Sequence, residues 1–137
     1  MTRVYLPTFA ELIDRLTIVQ LKAIFISEHK AEYEKEIALI MSDIDSIIMD
    51  KPHTISANDI RAIAVLAISN RVIWEAESKA RAGGDEQDKN LKFTHSINGV
   101  RNTAKNIIAA GIGDRLDHKC DALSETLDPE FGNWRIW

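Results

Sequence analysis

Residues 88–110 read DKNLKFTHSINGVRNTAKNIIAA, and the rest of the chain can be interpreted outward from this stretch. On a helix, which turns by about 100° per residue, its aliphatic residues fall on one face. Those residues are Ile97, Val100, Ala104, Ile107 and Ile108. The spacing therefore predicts a helix that packs one face against a hydrophobic core.

The opposite face of this predicted helix is rich in asparagine. Its residues are His95, Asn98, Asn102, Lys105 and Asn106, with Gly99 between them and Arg101 at the edge. Asn and Gly are less favourable than Ala in a helix by roughly 0.6 to 1 kcal/mol each. Because a face selected for helix stability would carry Glu, Lys and Gln instead, this one indicates a buried polar site or a subunit interface. The pair Asn98-Gly99 is also typical of a β-hairpin turn, but the spacing of the aliphatic residues favours a helix.

The N-terminal helix is predicted to begin at Thr8-Phe-Ala-Glu11, which has the pattern of a capping box. Up to Ile26 its apolar residues form two stripes, Leu12, Leu16, Val19 and Ala23 on one side and Ile18, Leu21 and Phe25 on the other. The narrow polar strip that remains consists of Glu11, Asp14, Arg15 and Lys22. Since a helix that is apolar on most of its circumference is expected to be largely covered, we place this helix at the centre of the bundle.

Proline and glycine set the boundaries of the next two helices. A second, amphipathic helix is predicted from Tyr33 to Met49, because Pro52 cannot continue it. Its apolar positions are Ile37, Ile40, Met41, Ile44, Ile47 and Ile48. A third helix is predicted from Ala57 to Ala82, before the pair Gly83-Gly84. Its expected packing residues are Ile60, Ile63, Ala64, Leu66, Ala67 and Ile73.

The C-terminal part of the chain predicts less regular structure. A short helix is expected from Asp114 to Leu123, followed by an irregular aromatic tail over residues 128–137. No stretch has the pattern of a strand. The predicted fold is therefore all-α, a four-helix bundle with a short C-terminal helix and a tail, forming one domain over residues 1–137.

Composition and charge limit the partners of the chain. It is 45% hydrophobic and 28% charged, with a net charge of −4. A nucleic-acid backbone requires a dense Lys and Arg surface, so no nucleic-acid partner is expected. A small anionic molecule held by a few positive side chains is compatible with this composition.

The single cysteine and the absence of long apolar runs indicate the compartment. Cys120 is alone, so no intrachain disulfide can form, which is typical of a reducing interior. No signal-peptide pattern is present, and no apolar run approaches the roughly 18 residues of a membrane span. We therefore expect a cytoplasmic protein without a membrane partner.

A polar stripe on the third helix points to a binding site. Asn70, Trp74, Glu77 and Arg81 recur at i, i+4, i+7 and i+11. If this stripe faces the polar strips of the first and fourth helices, the three enclose a pocket. In it, Arg and Lys would bind phosphate oxygens, Asn would provide directional hydrogen bonds and Trp74 would stack on a ring. The alternative is that Glu77 with Arg81, and Glu11 with Arg15, form exposed ion pairs at i, i+4 that contribute little.

The leading hypothesis is a non-catalytic helical protein, expected to form a homo-oligomer, that binds a small anionic ligand, such as a nucleotide or nucleotide-sugar, without a cofactor. The predicted ligand-binding residues are Lys22, Asn70, Trp74, Glu77, Arg81, His95, Asn98, Arg101, Asn102 and Lys105.

Two further hypotheses remain open. Glu11, Asp14 and Glu77 could hold magnesium, with His95 as acid or base, in an enzyme like the helical nucleoside-triphosphate pyrophosphohydrolases. The chain lacks their Glu-x-x-Glu and Glu-x-x-Asp order, and zinc is disfavoured because His118 and Cys120 have no second pair of ligands. In the third hypothesis the Asn and His face is a polar seam between the subunits of a homo-oligomer.

Three segments of the chain, about half of it, resemble a family of small helical proteins without an established activity. The segments are Glu11-Leu-Ile-Asp-Arg-Leu-Thr-Ile18, Asn70 to Trp74 and Asn98 to Asn106. Some of these proteins occur as domains beside glycosyltransferases or in bacterial and phage sugar-modification loci. The resemblance implies an all-helical fold and a sugar or nucleotide phosphate as ligand.

Overall fold

The computed structural model describes residues 6–50, 55–82 and 87–113, and only the backbone of residues 80–82 and 87–92. These residues form four α-helices, which are α1 (Phe9–Phe25), α2 (Lys30–Asp50), α3 (Ala57–Ala82) and α4 (Gln87–Ile112), and a short 3-10 helix (Ser27–His29) between α1 and α2. The described ranges contain no strand, so the all-α prediction is confirmed and the hairpin at Asn98-Gly99 is wrong. The predicted C-terminal helix, the aromatic tail, His118 and Cys120 lie outside the described residues.

Two of the helices, α1 and α3, have reciprocal hydrogen bonds that cap their N-termini. At α1 the Glu11 amide donates to Thr8 Oγ1 (3.2 Å) and the Thr8 amide donates to Glu11 Oε2 (2.9 Å), which is the predicted capping box. At α3 the Asp59 amide donates to Ser56 Oγ (3.2 Å) and the Ser56 amide donates to Asp59 Oδ2 (3.0 Å). Because each cap satisfies amides that have no partner within the helix, these short motifs fix where the helices begin.

The helices share one hydrophobic core. α3 and α4 form the most extensive contact, and α1 packs across both of them. As predicted, Ile97, Val100, Ala104 and Ile108 of α4 are buried, and Ile107 is half-buried. Within the described ranges, α2 packs only against α1 and the 3-10 helix. The bundle is therefore three mutually packed helices with α2 on one side.

The packing face predicted for α3 is right in part. Ile60 is 60% exposed and Ala64 is exposed, whereas Leu66 and Ile73 are buried as expected. The buried face of α3 is formed by Ala62, Val65, Leu66, Ser69, Asn70, Ile73 and Ala76. The N-terminal half of α3 has apolar residues around most of its circumference, so the sequence period does not select the face that α4 covers.

Two further helix faces are less covered than predicted. On α2 only Ile40 and Ile44 are buried, while Met41 and Ile48 are 52% and 43% exposed, because α1 is the one helix it packs on. On α1 the second apolar stripe is only partly covered, and Phe25 is 50% exposed.

The end of α4 passes close to the start of α3. A Cβ atom built on Gly111 would lie 2.5 Å from Asp59 Oδ1, so any other residue here would displace the Asp59 carboxylate. Two residues later Gly113, with a φ of +76°, ends the helix, and its amide donates to the Ala110 carbonyl (3.2 Å). A left-handed glycine at this position is a common way to terminate a helix.

Candidate functional site

A buried carboxylate, that of Asp14 on α1, connects three helices. Asp14 Oδ1 accepts hydrogen bonds from Asn70 Nδ2 of α3 (2.8 Å) and from Arg101 Nε of α4 (3.1 Å). Asp14 Oδ2 accepts from Arg101 Nη2 (2.5 Å) and lies 3.9 Å from Lys105 Nζ. Asp14 is 6% exposed, so at this position the polar strip of α1 faces α3 and α4, as the pocket hypothesis requires. Burial of this charge is compensated by two cations and an amide.

The side-chain amide of Asn70 is oriented by this network. Its Nδ2 donates both to Asp14 Oδ1 (2.8 Å) and to Thr17 Oγ1 (2.6 Å). The Thr17 hydroxyl in turn donates to the Asp14 main-chain carbonyl (2.7 Å), so it is an acceptor toward Asn70. Both amide hydrogens of Asn70 are therefore used inside the protein, and its carbonyl oxygen accepts no hydrogen bond from the described residues.

Arg101 is held along one side of its guanidinium group. Nε and Nη2 form a bidentate pair with the two oxygens of Asp14, while the side chain is 24% exposed. A guanidinium group has five N–H donors in a rigid plane. Toward the rest of the described chain, the Nη1 edge of Arg101 has no hydrogen-bond partner. Arg101 is thus fixed by Asp14 and keeps a second edge for another acceptor.

These residues border a cleft between α1, α3 and α4 with a volume of about 480 Å³. Its lining residues are Ile18, Leu21, Lys22, Ile26, Asn70, Ile73, Trp74, Glu77, Asn98 and Arg101. The aliphatic residues and Trp74 provide an apolar wall, and the others provide polar groups. The cleft therefore combines a flat apolar surface with charged and amide groups.

Trp74 lies next to a second aromatic ring. The Trp74 and Phe25 ring centroids lie 6.3 Å apart, with the ring planes tilted by 32°. Arg71 stacks over the Phe25 ring at 4.4 Å and pairs with Glu75 at 2.8 Å. These contacts restrict the orientation of Trp74, although the sequence pattern had not identified Phe25 or Arg71 as part of the site.

The structure brings together six of the ten residues predicted to bind a ligand. Lys22, Asn70, Trp74, Glu77, Asn98 and Arg101 all line the cleft. Lys105, whose side chain is 12% exposed, approaches Asp14 but is not among the lining residues. Asn102 is half-buried outside the cleft and His95 is exposed outside it, while the Arg81 side chain lies outside the described part of the structure.

The carboxylates considered for magnesium do not come together. Glu11 caps α1, Asp14 is paired with Arg101 and Lys105, and Glu77 lines the cleft. In the described ranges, no group of three His, Cys, Asp or Glu side chains could hold a metal ion. The expected pair of Glu11 with Arg15 is also replaced, because Arg15 Nε lies 3.2 Å from Glu36 Oε1 of α2.

The chain has no match among protein-family models, curated proteins or solved structures. The resemblance to helical proteins of sugar-modification loci therefore stays a prediction. Among the described residues, none of the helices has both the length and the apolar character to cross a bilayer.

Proposed function

We propose that the cleft binds a small anionic ligand, and that a nucleotide, a nucleotide-sugar or a sugar phosphate is the class of ligand it suits best. The observation that supports this most is the fixed Arg101 guanidinium, which has an unused edge at a cleft that Lys22 also lines. The binding residues are Arg101 and Lys22 for the anion and Trp74 for a ring.

Arg101 and Lys22 provide complementary donors for an oxyanion. The free edge of a guanidinium group matches two oxygens of a phosphate or carboxylate, and an ammonium group adds a compact positive charge. Within the described ranges, Lys22 forms no ion pair, so its charge is available to a ligand. Because Asp14 already orients Arg101, little side-chain freedom is lost when an anion binds.

Trp74 and the aliphatic residues provide the surface for the uncharged part of the ligand. The volume of about 480 Å³ falls within the range of about 300–1,000 Å³ that is usual for small-molecule pockets. Ile18, Leu21 and Ile73 line the same cleft as the Trp74 ring. An apolar wall beside a few directed polar groups is the arrangement that orients a ring or sugar relative to its phosphate.

The geometry favours binding over metal-dependent hydrolysis. Asp14, the most buried of the carboxylates considered for magnesium, is neutralised by Arg101 and Lys105. A magnesium ion at Asp14 would have to displace cations that are part of the protein. Binding of an anion leaves the contacts of Asp14 with Arg101 and Lys105 in place.

Fluorescence titration tests the proposal directly. The chain has three tryptophans, at positions 74, 134 and 137, so the double substitution Trp134→Phe and Trp137→Phe leaves Trp74 as the single reporter. This variant is titrated with UMP, AMP and UDP-glucose. We expect at least one probe to change Trp74 emission and, at a hundredfold excess over its Kd, to raise stability by about 2.7 kcal/mol.

A pair of lysine substitutions provides the control. Lys22→Met is expected to weaken binding about tenfold or more, because it removes a cation from the cleft. Lys35→Met changes an exposed lysine of α2 and should leave the Kd unchanged. The proposal is wrong if no probe affects emission or stability, or if both variants bind as the parent does.

A further inference from the structure

We infer that the ligand must carry a hydrogen-bond donor close to its anionic group, and that the carbonyl oxygen of Asn70 selects for that donor. This inference rests on the proposed function and defines the ligand class more narrowly. The favoured ligands are hydroxyl-bearing phosphate esters, such as sugar phosphates, and plain alkyl phosphates are disfavoured.

The orientation of the Asn70 amide is determined by its neighbours. Nδ2 donates to Asp14 Oδ1 (2.8 Å) and to Thr17 Oγ1 (2.6 Å). The reverse orientation would place the amide oxygen against the carboxylate of Asp14, and two acceptors repel each other. The Thr17 proton is already donated to the Asp14 carbonyl (2.7 Å), so Thr17 cannot serve as a donor to Asn70. The oxygen of Asn70 is therefore the only hydrogen-bonding group that it can offer to a ligand.

This oxygen is accessible although the residue is almost completely buried. Asn70 is 5% exposed and lines the cleft. Of the described side chains, the only polar atom that is sealed from solvent without a partner is Ser69 Oγ, so the Asn70 oxygen keeps some contact with solvent, and Asn70 lines the cleft. In the free protein, water can satisfy it. A ligand that excludes this water without offering a donor leaves a buried acceptor unpaired. An unpaired buried acceptor lowers the affinity of the ligand strongly.

The two residues that would recognise the donor and the anion, Asn70 and Arg101, are bound to the same carboxylate. Asn70 Nδ2 and Arg101 Nε both donate to the same atom, Asp14 Oδ1, at 2.8 and 3.1 Å. One carboxylate thus orients both side chains, and both residues line the cleft. A hydroxyl group on a carbon near the phosphate ester can reach Asn70 while the phosphate contacts Arg101.

Two ligands of equal charge and nearly equal size distinguish recognition of the hydroxyl group by Asn70 from recognition of the phosphate by Arg101. Glycerol 1-phosphate and propyl phosphate have the same phosphate monoester and carbon chain, but only the first has hydroxyl groups. We expect Trp74 emission, in the variant with Trp134→Phe and Trp137→Phe, to report about tenfold or greater preference for glycerol 1-phosphate. In Asn70→Ala this preference should fall to within about twofold.

Thr17→Val is the matched control for Asn70→Ala. It removes one hydrogen bond of Asn70 but keeps the carbonyl oxygen, so it disturbs the same network and should retain the preference. Equal binding of the two phosphates to the parent protein would overturn the inference and leave the anion site intact. Failure of every anion to bind would overturn both the inference and the proposed function. The parent comparison decides even if Asn70→Ala does not fold.

Discussion

Asp14 is the residue on which α1, α3 and α4 converge. A buried carboxylate is stable only when cations and donors replace its water, and here Arg101, Lys105 and Asn70 do so. This arrangement also has a functional consequence. The same carboxylate that joins the helices orients the two groups, Arg101 and Asn70, that border the cleft.

Removal of the Asp14 carboxylate should destabilise the protein markedly. Asp14→Ala removes the carboxylate that binds Arg101 at two atoms, so a guanidinium group that is only 24% exposed loses its ion-pair partner, and we expect a loss of about 3 kcal/mol. Arg15→Ala is the control on the neighbouring position, because it removes a pair whose side chains are 65% and 37% exposed. That loss should stay within about 1 kcal/mol. Urea unfolding measures the free energy of unfolding of both variants. Equal losses would contradict the view that the Asp14 carboxylate stabilises the contact between α1, α3 and α4.

The sequence allowed most of the cleft residues to be predicted, but not the network that holds them. Asn70, Trp74 and Glu77 recur at helical spacing, and Asn98 and Arg101 stand out on an Asn-rich face, so local pattern was sufficient. The partners of Asp14 lie 56 and 87 positions away along the chain. No local pattern contains such a separation, so the sequence predicts that these polar strips can face one another but not which side chains pair.

At the scale of the helices, starts and ends were predictable, and so was the packing face of α4, but the packing face of α3 was predicted only in part. The start of α1 at its capping box and the full extent of α3, Ala57–Ala82, agree with the sequence analysis because caps and glycines act locally. The face that α3 buries depends on its register with α4. That register involves the close approach of Gly111 to Asp59, which only the folded chain reveals.

The contact between Gly111 and Asp59 predicts a coupling between two helix ends. Gly111→Ala should favour α4 by up to about 1 kcal/mol, but its Cβ would displace the Asp59 carboxylate from its cap on the Ser56 amide. In an Asp59→Ala background no carboxylate is displaced, so the same change should be stabilising. We expect a coupling free energy of about 1 kcal/mol from the four unfolding curves. Additive effects would show that the two helix ends do not constrain each other.

For the molecule as a whole, the position of α2 outside the three-helix unit has consequences for dynamics. In the part of the chain that the structure describes, α2 packs only on α1 and the 3-10 helix, and Leu39 and Met49 are 69% and 84% exposed. By contrast, α1, α3 and α4 contact one another and share the Asp14 network. An element that packs against one neighbouring helix can open without unfolding the remainder.

Native-state hydrogen exchange should therefore show α2 opening before α3 and α4. We expect the amides of α2 to exchange with a lower free energy than those of α3 and α4, because opening α2 exposes only its contact with α1. Leu66→Ala distinguishes local from global opening, since Leu66 is completely buried in α3. It should lower the exchange free energy of α3 and α4 by about 2–5 kcal/mol. The α2 amides should keep their parent values, because their opening leaves Leu66 packed. A parallel decrease in all four helices would instead mean that α2 unfolds with the remainder, and that the cleft cannot persist while α2 is open.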